Sequence, residues 1–235
     1  KMKIKFSLSL NSLKLIYEFA LIVPILSVLF STIIYYTTWR FKKGRIRTIS
    51  ETVLYFPENK IFAFSMSIDC ILLAIIFSIR QKIIRKLAKK QDFTENKSYK
   101  ISMKISQTLI LLSSLGLLFL SNITLKDSRN LHLISALNFF FGIILYLLIS
   151  DYWAKRVGYN ISLFSYLIPY SALAMASIFT IITIFFSRNR FIYSIGSIIK
   201  YFCSFLIYMK IYLIHVETPS QKKLKAEKQS NSAMV

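Results

Sequence analysis

Two ionisable residues, Asp69 and Lys200, stand inside otherwise apolar stretches of the sequence and are the first candidates for chemistry. A charge at membrane depth is costly and calls for a partner. Asp69 lies about 12 Å into the apolar run that opens at Ile61, and Lys200 about 13 to 14 Å into the run that opens at Phe191, counting 1.5 Å per helical residue. The matching depths predict an ion pair between two helices. Two alternatives stay open: Lys200 snorkels to the interface, or a neutral Asp69 bonds a serine of a neighbouring helix. Cys70 and Cys203 sit beside these residues and read as small buried hydrophobes.

A second group gathers at the ends of the apolar runs. Glu51 and Glu58 precede the second run, Asp127 and Arg129 separate the third from the fourth, and His132 opens the fourth. A carboxylate near an imidazole is the minimum for proton transfer, yet short connections between helices bring such groups together for structural reasons too. Ser135 and Asn138 continue a polar stripe below His132, of the kind that more often glues helices than lines a site. The chain has no G-x-S-x-G elbow, no H-E-x-x-H and no phosphate-binding G-x-x-x-x-G-K-[ST]. Its two histidines, His132 and His215, are expected at opposite ends of the molecule, which excludes a histidine-rich metal site. No catalytic residue, metal or cofactor is assigned.

The elements that position these residues follow from composition. The 235 residues are 55% apolar and 17% charged, with mean hydropathy +0.53 and net charge +21, whereas a soluble domain carries about 25% charged residues. A spanning helix needs about 20 mainly apolar residues, and six such stretches occur, near 17–39, 61–79, 105–124, 131–153, 163–186 and 191–214. None alternates like a barrel strand. The expected fold is all-α, a polytopic bundle of six transmembrane helices over residues 1–215, followed by a basic polar tail at 216–235. Lys1, Lys3, Lys5 and Lys14 precede the first run, but that run is longer than a signal-peptide core and is expected to be retained.

Most basic residues fall at the N-terminus, between Arg80 and Lys104, at Lys155 and Arg156, and in the tail, which predicts both termini on the cytoplasmic side. The first outer loop runs against this bias at Arg40, Lys42, Lys43, Arg45 and Arg47. Charge strung along membrane edges argues against nucleic acid as a partner and for anionic lipid at the cytoplasmic face. Arg80, Lys82, Arg85, Lys86, Lys89 and Lys90 are the expected lipid contacts. Ile79, Ile83 and Leu87 share their helix face, so the second helix is expected to run past the membrane with that stripe against lipid or protein. Asn122-Ile123-Thr124 is a glycosylation sequon on the outer side, too close to a helix end to be a good acceptor; sugar at Asn96 would reverse the orientation.

Ile46-Arg47-Thr48-Ile49-Ser50-Glu51-Thr52-Val53, followed by Pro57-Glu58-Asn59-Lys60-Ile61-Phe62, resembles the first outer loop of the DRAM/Frag/Sfk family. His132-Leu133-Ile134-Ser135-Ala136 with Phe139 to Phe141 is similar to that family's histidine at the start of span four. Val53 stands where the family commonly has glycine, and Thr48 where proline is frequent. The resemblance implies a six-span protein of the Golgi, ER, lysosome or plasma membrane. Known members act in GPI-anchor lipid remodelling, autophagy and support of phosphoinositide synthesis. Glu51, Glu58 and His132 are the positions the resemblance carries over. The expected function is that of a noncatalytic, lipid-associated regulator or factor in GPI or phospholipid handling. A structural subunit contacting other membrane proteins is the alternative, and a transporter the third, disfavoured by the lack of an inverted repeat.

Overall fold

The computed structural model describes residues 10–38, 46–186 and 189–217. Lys1, Lys3, Lys5, Arg40, Lys42, Lys43, Arg45 and the tail after Glu217 lie outside the described residues. Among the described residues seven α-helices follow one another: α1 (Leu10–Thr37), α2 (Ile49–Thr52), α3 (Glu58–Lys90), α4 (Lys97–Asn122), α5 (Arg129–Arg156), α6 (Leu163–Phe185) and α7 (Arg190–Glu217). Six are long and apolar enough to cross a membrane. No strand occurs among the described residues.

The long helices form a ring in chain order, α1 against α3, then α4, α5, α6 and α7, which closes back on α1. Their starts are set by local chemistry, because the first turn of a helix leaves backbone N–H groups without partners. Asn96, Ser128 and Ser162 cap α4, α5 and α6 through their side-chain oxygens, and the Asn189 side chain accepts from the backbone of Phe191 and Ile192. Small residues govern the tightest seam. A Cβ added at Gly116 of α4 would come within 2.7 Å of the Phe139 nitrogen of α5, so only glycine permits that approach, the usual device for packing helices where lipid offers no hydrophobic drive.

One end of the ring, which carries both described termini and the α3–α4 and α5–α6 connections, is closed. As expected, α3 continues past the membrane-length core to Lys90, and its extension packs on protein. Ile84 and Ala88 join Tyr99, Met103, Trp153 and Val157 in a second core, with Ile83 and Leu87 along its edge. The buried face of the extension is centred on Ile76, Arg80, Ile84 and Ala88, one residue on from the apolar stripe at Ile79.

Arg80 therefore points inward, with 1% of its surface exposed, and pairs with Asp151 of α5. Lys210 of α7 takes the other carboxylate oxygen at 2.8 Å and also donates to the Ser165 carbonyl and hydroxyl of α6. Ser165 in turn donates to Glu217, which accepts from the Ser162 backbone and hydroxyl as well. Four helices are tied by one buried ionic chain. This departs from the expectation that Arg80 faces anionic lipid; Lys82, Arg85, Lys86, Lys89 and Lys90 are exposed at that end.

Removing one partner of a buried pair leaves an uncompensated charge, at a cost of about 3–5 kcal/mol. Asp151→Ala strands two cations and is expected to lower the midpoint of thermal unfolding in detergent steeply. Lys82→Ala, an exposed charge on the same helix, is expected to leave it unchanged. Equal midpoints for the two variants would contradict a structural role for the ion chain.

Candidate functional site

At the opposite end, the described part of the α1–α3 connection, residues 46–57, folds back over the ring. Thr48 through Val53 are buried, and the single turn of α2 is held by its own side chains. Glu51 Oε2 accepts from the Thr48 backbone N–H at 2.9 Å, while its Oε1 meets Arg47 Nη1 at 3.1 Å. Thr48 thus supplies an N–H that proline in that position would lack. Val53 ends the turn at φ −109°, a conformation open to any residue, which removes the need for glycine there. The Ile46 N–H donates to Ser194 of α7 and anchors the segment across the ring.

Beneath α2 lies a cavity of about 570 Å³, within the range of sites that enclose small ligands. Its polar wall includes Thr48, Ser50 and Glu51 from the α2 segment, Arg129 and His132 from α5, and Lys200 from α7, with Thr180 and Thr183 of α6 and Tyr193 of α7 also in the lining. Phe140, Phe141 and Phe179 form part of its apolar wall. Leu137 of α5 and Ile184 of α6 line it and are also 43% and 65% exposed on the outer face. The cavity therefore reaches the flank of the bundle between α5 and α6, where acyl chains would lie.

Lys200 is 7% exposed; its ammonium donates to Ser50 Oγ at 3.1 Å and sits 5.2 Å from the centre of the Phe179 ring and 5.9 Å from that of Phe140. It forms no ion pair among the described residues, and the serine and the two ring faces are neutral. Asp69 is not its partner. That carboxylate is fully buried and accepts from the Tyr208 hydroxyl at 2.7 Å. Tyr208 lies two turns along α7 from Lys200, roughly 12 Å by helical rise. Equal distance from each helix's own start did not mean equal height, because α7 is shifted along its axis relative to α3, and α2 dips in to meet Lys200.

The expected outer cluster divides. Glu51, Arg129 and His132 share the cavity, and Lys200 joins them. Glu58, at the start of α3, is fully buried outside the lining, with its carbonyl accepting from Ser31. Asp127 is a turn-forming residue: its Oδ2 accepts from the backbone and hydroxyl of Thr124 at 2.9 and 2.8 Å. The turn places the Ile123 carbonyl 2.6 Å from His132 Nδ1, which fixes the ring at the cavity wall. His132 Nε2 is buried and has no hydrogen-bond partner among the described residues. Asn122, the sequon residue, donates to the Leu118 carbonyl and to Ser67. Among the described residues no group of three His, Cys, Asp or Glu side chains could hold a metal ion. Ser50 and Phe140 lie inside the two stretches that resemble the family but were not singled out there, and Phe179 carried no signal, because a serine or a phenylalanine by itself says nothing about which side it faces.

The family described as Frag1/DRAM/Sfk1/Cwh43P N-terminal domain matches residues 12–220. The chain belongs to this family. It is an integral, multi-pass membrane protein. No curated protein and no solved structure matches it. In this Frag1/DRAM/Sfk-family chain the loop segment at Ile46–Val53 and the histidine of α5, the two stretches that resemble the family, converge on one cavity wall.

The Thr124 hydrogen bonds hold the Asp127 carboxyl below its ordinary value of 3.8. A depressed carboxyl value means that its contribution to the turn is complete above pH 3.8 and is lost as pH falls below it. The Thr124 amide resonance is therefore expected to titrate with a midpoint under 3.8, and to stop titrating in Asp127→Asn. A midpoint at or above 3.8 would contradict the turn described.

Proposed function

We propose that this Frag1/DRAM/Sfk-family protein is a noncatalytic, lipid-associated regulator or factor in GPI or phospholipid handling, and that the cavity under α2 holds the anionic headgroup of a lipid. The observation that carries the reading is Lys200. A buried ammonium bonded to one serine hydroxyl and flanked by two aromatic faces is under-compensated, because the carboxylate that attracts it through space, Glu51, is itself bonded to Arg47 and Thr48, and a buried charge without a directly bonded counter-ion is expensive. An anionic oxygen would supply the charge-assisted bond that Ser50 cannot.

The rest of the cavity suits such a ligand. Arg129 adds a second cation at the wall, and Glu51 is already engaged by Arg47 and Thr48. The apolar side, with Phe141 and Leu137, leads toward the gap between α5 and α6, so a headgroup can enter sideways while its chains stay in the bilayer. The basic exposed face of α3 is assigned to the cytoplasmic leaflet and its anionic lipid, which puts the cavity in the outer leaflet. A multi-pass endomembrane or plasma-membrane location agrees with this arrangement.

Lys200→Met keeps the length of the side chain and removes the charge, and burying an apolar group in place of a strained cation leaves the fold intact. In native mass spectrometry of the detergent-purified full chain, the variant is expected to lose phosphatidylglycerol affinity by about tenfold or more, the scale of one charge-assisted hydrogen bond, while phosphatidylcholine binding stays level. Unchanged phosphatidylglycerol affinity in a folded, monodisperse Lys200→Met protein would overturn the reading.

A further inference from the structure

The cavity wall holds a second unmet demand, and it concerns the neutral part of the ligand. His132 is 3% exposed and lines the cavity at the same wall as Lys200. Its Nδ1 lies 2.6 Å from the Ile123 carbonyl, an acceptor, so Nδ1 carries the proton. In the neutral ring the lone pair then sits on Nε2, which is buried and makes no hydrogen bond among the described residues. A buried acceptor left without a donor costs free energy that any incoming O–H would recover.

The other polar groups of the wall do not meet this demand. Glu51 is an acceptor occupied by Arg47 and Thr48, and the two donors Lys200 and Ser50 are bonded to each other and make no hydrogen bond to Nε2. Lys200 and His132 therefore ask for two different things. The ammonium calls for an anionic oxygen, and the imidazole calls for a hydrogen-bond donor.

We infer that the cavity selects anionic phospholipids whose headgroup carries a hydroxyl, the phosphate going to Lys200 and the hydroxyl donating to His132 Nε2. His132 is on this account a specificity-determining residue and transfers no proton. The inference rests on the anionic-lipid reading of the cavity and adds to it the chemical class of the headgroup. It distinguishes lipids that the charge of Lys200 alone would treat alike. Phosphatidylglycerol and phosphatidylmethanol carry the same net charge, but the methyl ester has no donor.

Native mass spectrometry of the full chain, titrated with phosphatidylglycerol, phosphatidylmethanol and phosphatidylcholine, separates the outcomes. The unsubstituted protein is expected to prefer phosphatidylglycerol to phosphatidylmethanol by roughly three- to tenfold, the range of one net hydrogen bond, and both to phosphatidylcholine. In His132→Asn the amide nitrogen stands near the place of Nδ1 and retains the bond to Ile123, while the acceptor at Nε2 is gone. That variant is expected to bind phosphatidylglycerol and phosphatidylmethanol equally, at the unsubstituted protein's level for phosphatidylmethanol. Equal binding of the two anionic lipids by the unsubstituted protein overturns the hydroxyl inference and leaves the anionic site standing. A preference that survives His132→Asn also overturns it, since some other group would then read the hydroxyl. No preference for either anionic lipid over phosphatidylcholine removes the underlying reading as well.

Discussion

The Asp151 carboxylate is the point on which the closed end of the bundle depends. It faces Arg80 from α3 and Lys210 from α7, and Lys210 carries the connection on to Ser165 of α6 and through it to Glu217. Inside a bilayer there is little hydrophobic drive to bring helices together, so buried polar ties and close backbone approach set the packing. The ion chain fixes four helices at one end, and the Gly116 seam fixes α4 on α5 along its length. With those constraints met, the α2 end can carry a cavity that a uniformly packed bundle would not retain.

The two ends treat buried charge in opposite ways. Arg80 and Lys210 share a carboxylate, and the second core beneath them shields that end from water. Lys200 is equally enclosed but rests on one serine hydroxyl and two ring faces. Arg80 and Lys210 are paired directly by the chain itself, whereas Lys200, on the proposed reading, is left for a ligand to pair. One neutral pair shows a similar difference. The Tyr146 hydroxyl donates to the Phe77 carbonyl within the core, whereas His132 Nε2 at the cavity wall has no partner. Buried polar atoms without a partner among the described residues also occur at the closed end, Arg80 Nε and the Ser106 hydroxyl among them, so what sets His132 apart is its place in the cavity lining.

How much of this was legible in the sequence depended on whether the signal was local. The six spans were, because length and uniform apolarity need no tertiary information; the helices overrun them at most ends, since capping residues such as Asn96 and Ser128 lie in polar sequence beyond the apolar core. Glu51 and His132 were found because acidic residues and histidines are few in this chain. Arg80 was misplaced because an arginine in a basic run looks solvated, and its burial follows from the face shared by Ile76, Ile84 and Ala88 against α4 and α5. Asp69 and Lys200 were each read as buried, as they are, but their partners were not readable: depth counted along one helix says nothing about the axial shift of another. Ser50 could not be found without knowing that its loop turns inward.

The central claim is that Lys200 is a binding cation, and a structure of the protein in nanodiscs containing anionic phospholipid tests it most directly. The account predicts headgroup density within hydrogen-bonding distance of Lys200 Nζ, with chain density leaving between α5 and α6. Lys200 still resting on Ser50 alone, in a cavity that is empty or filled only by hydrocarbon, would contradict it.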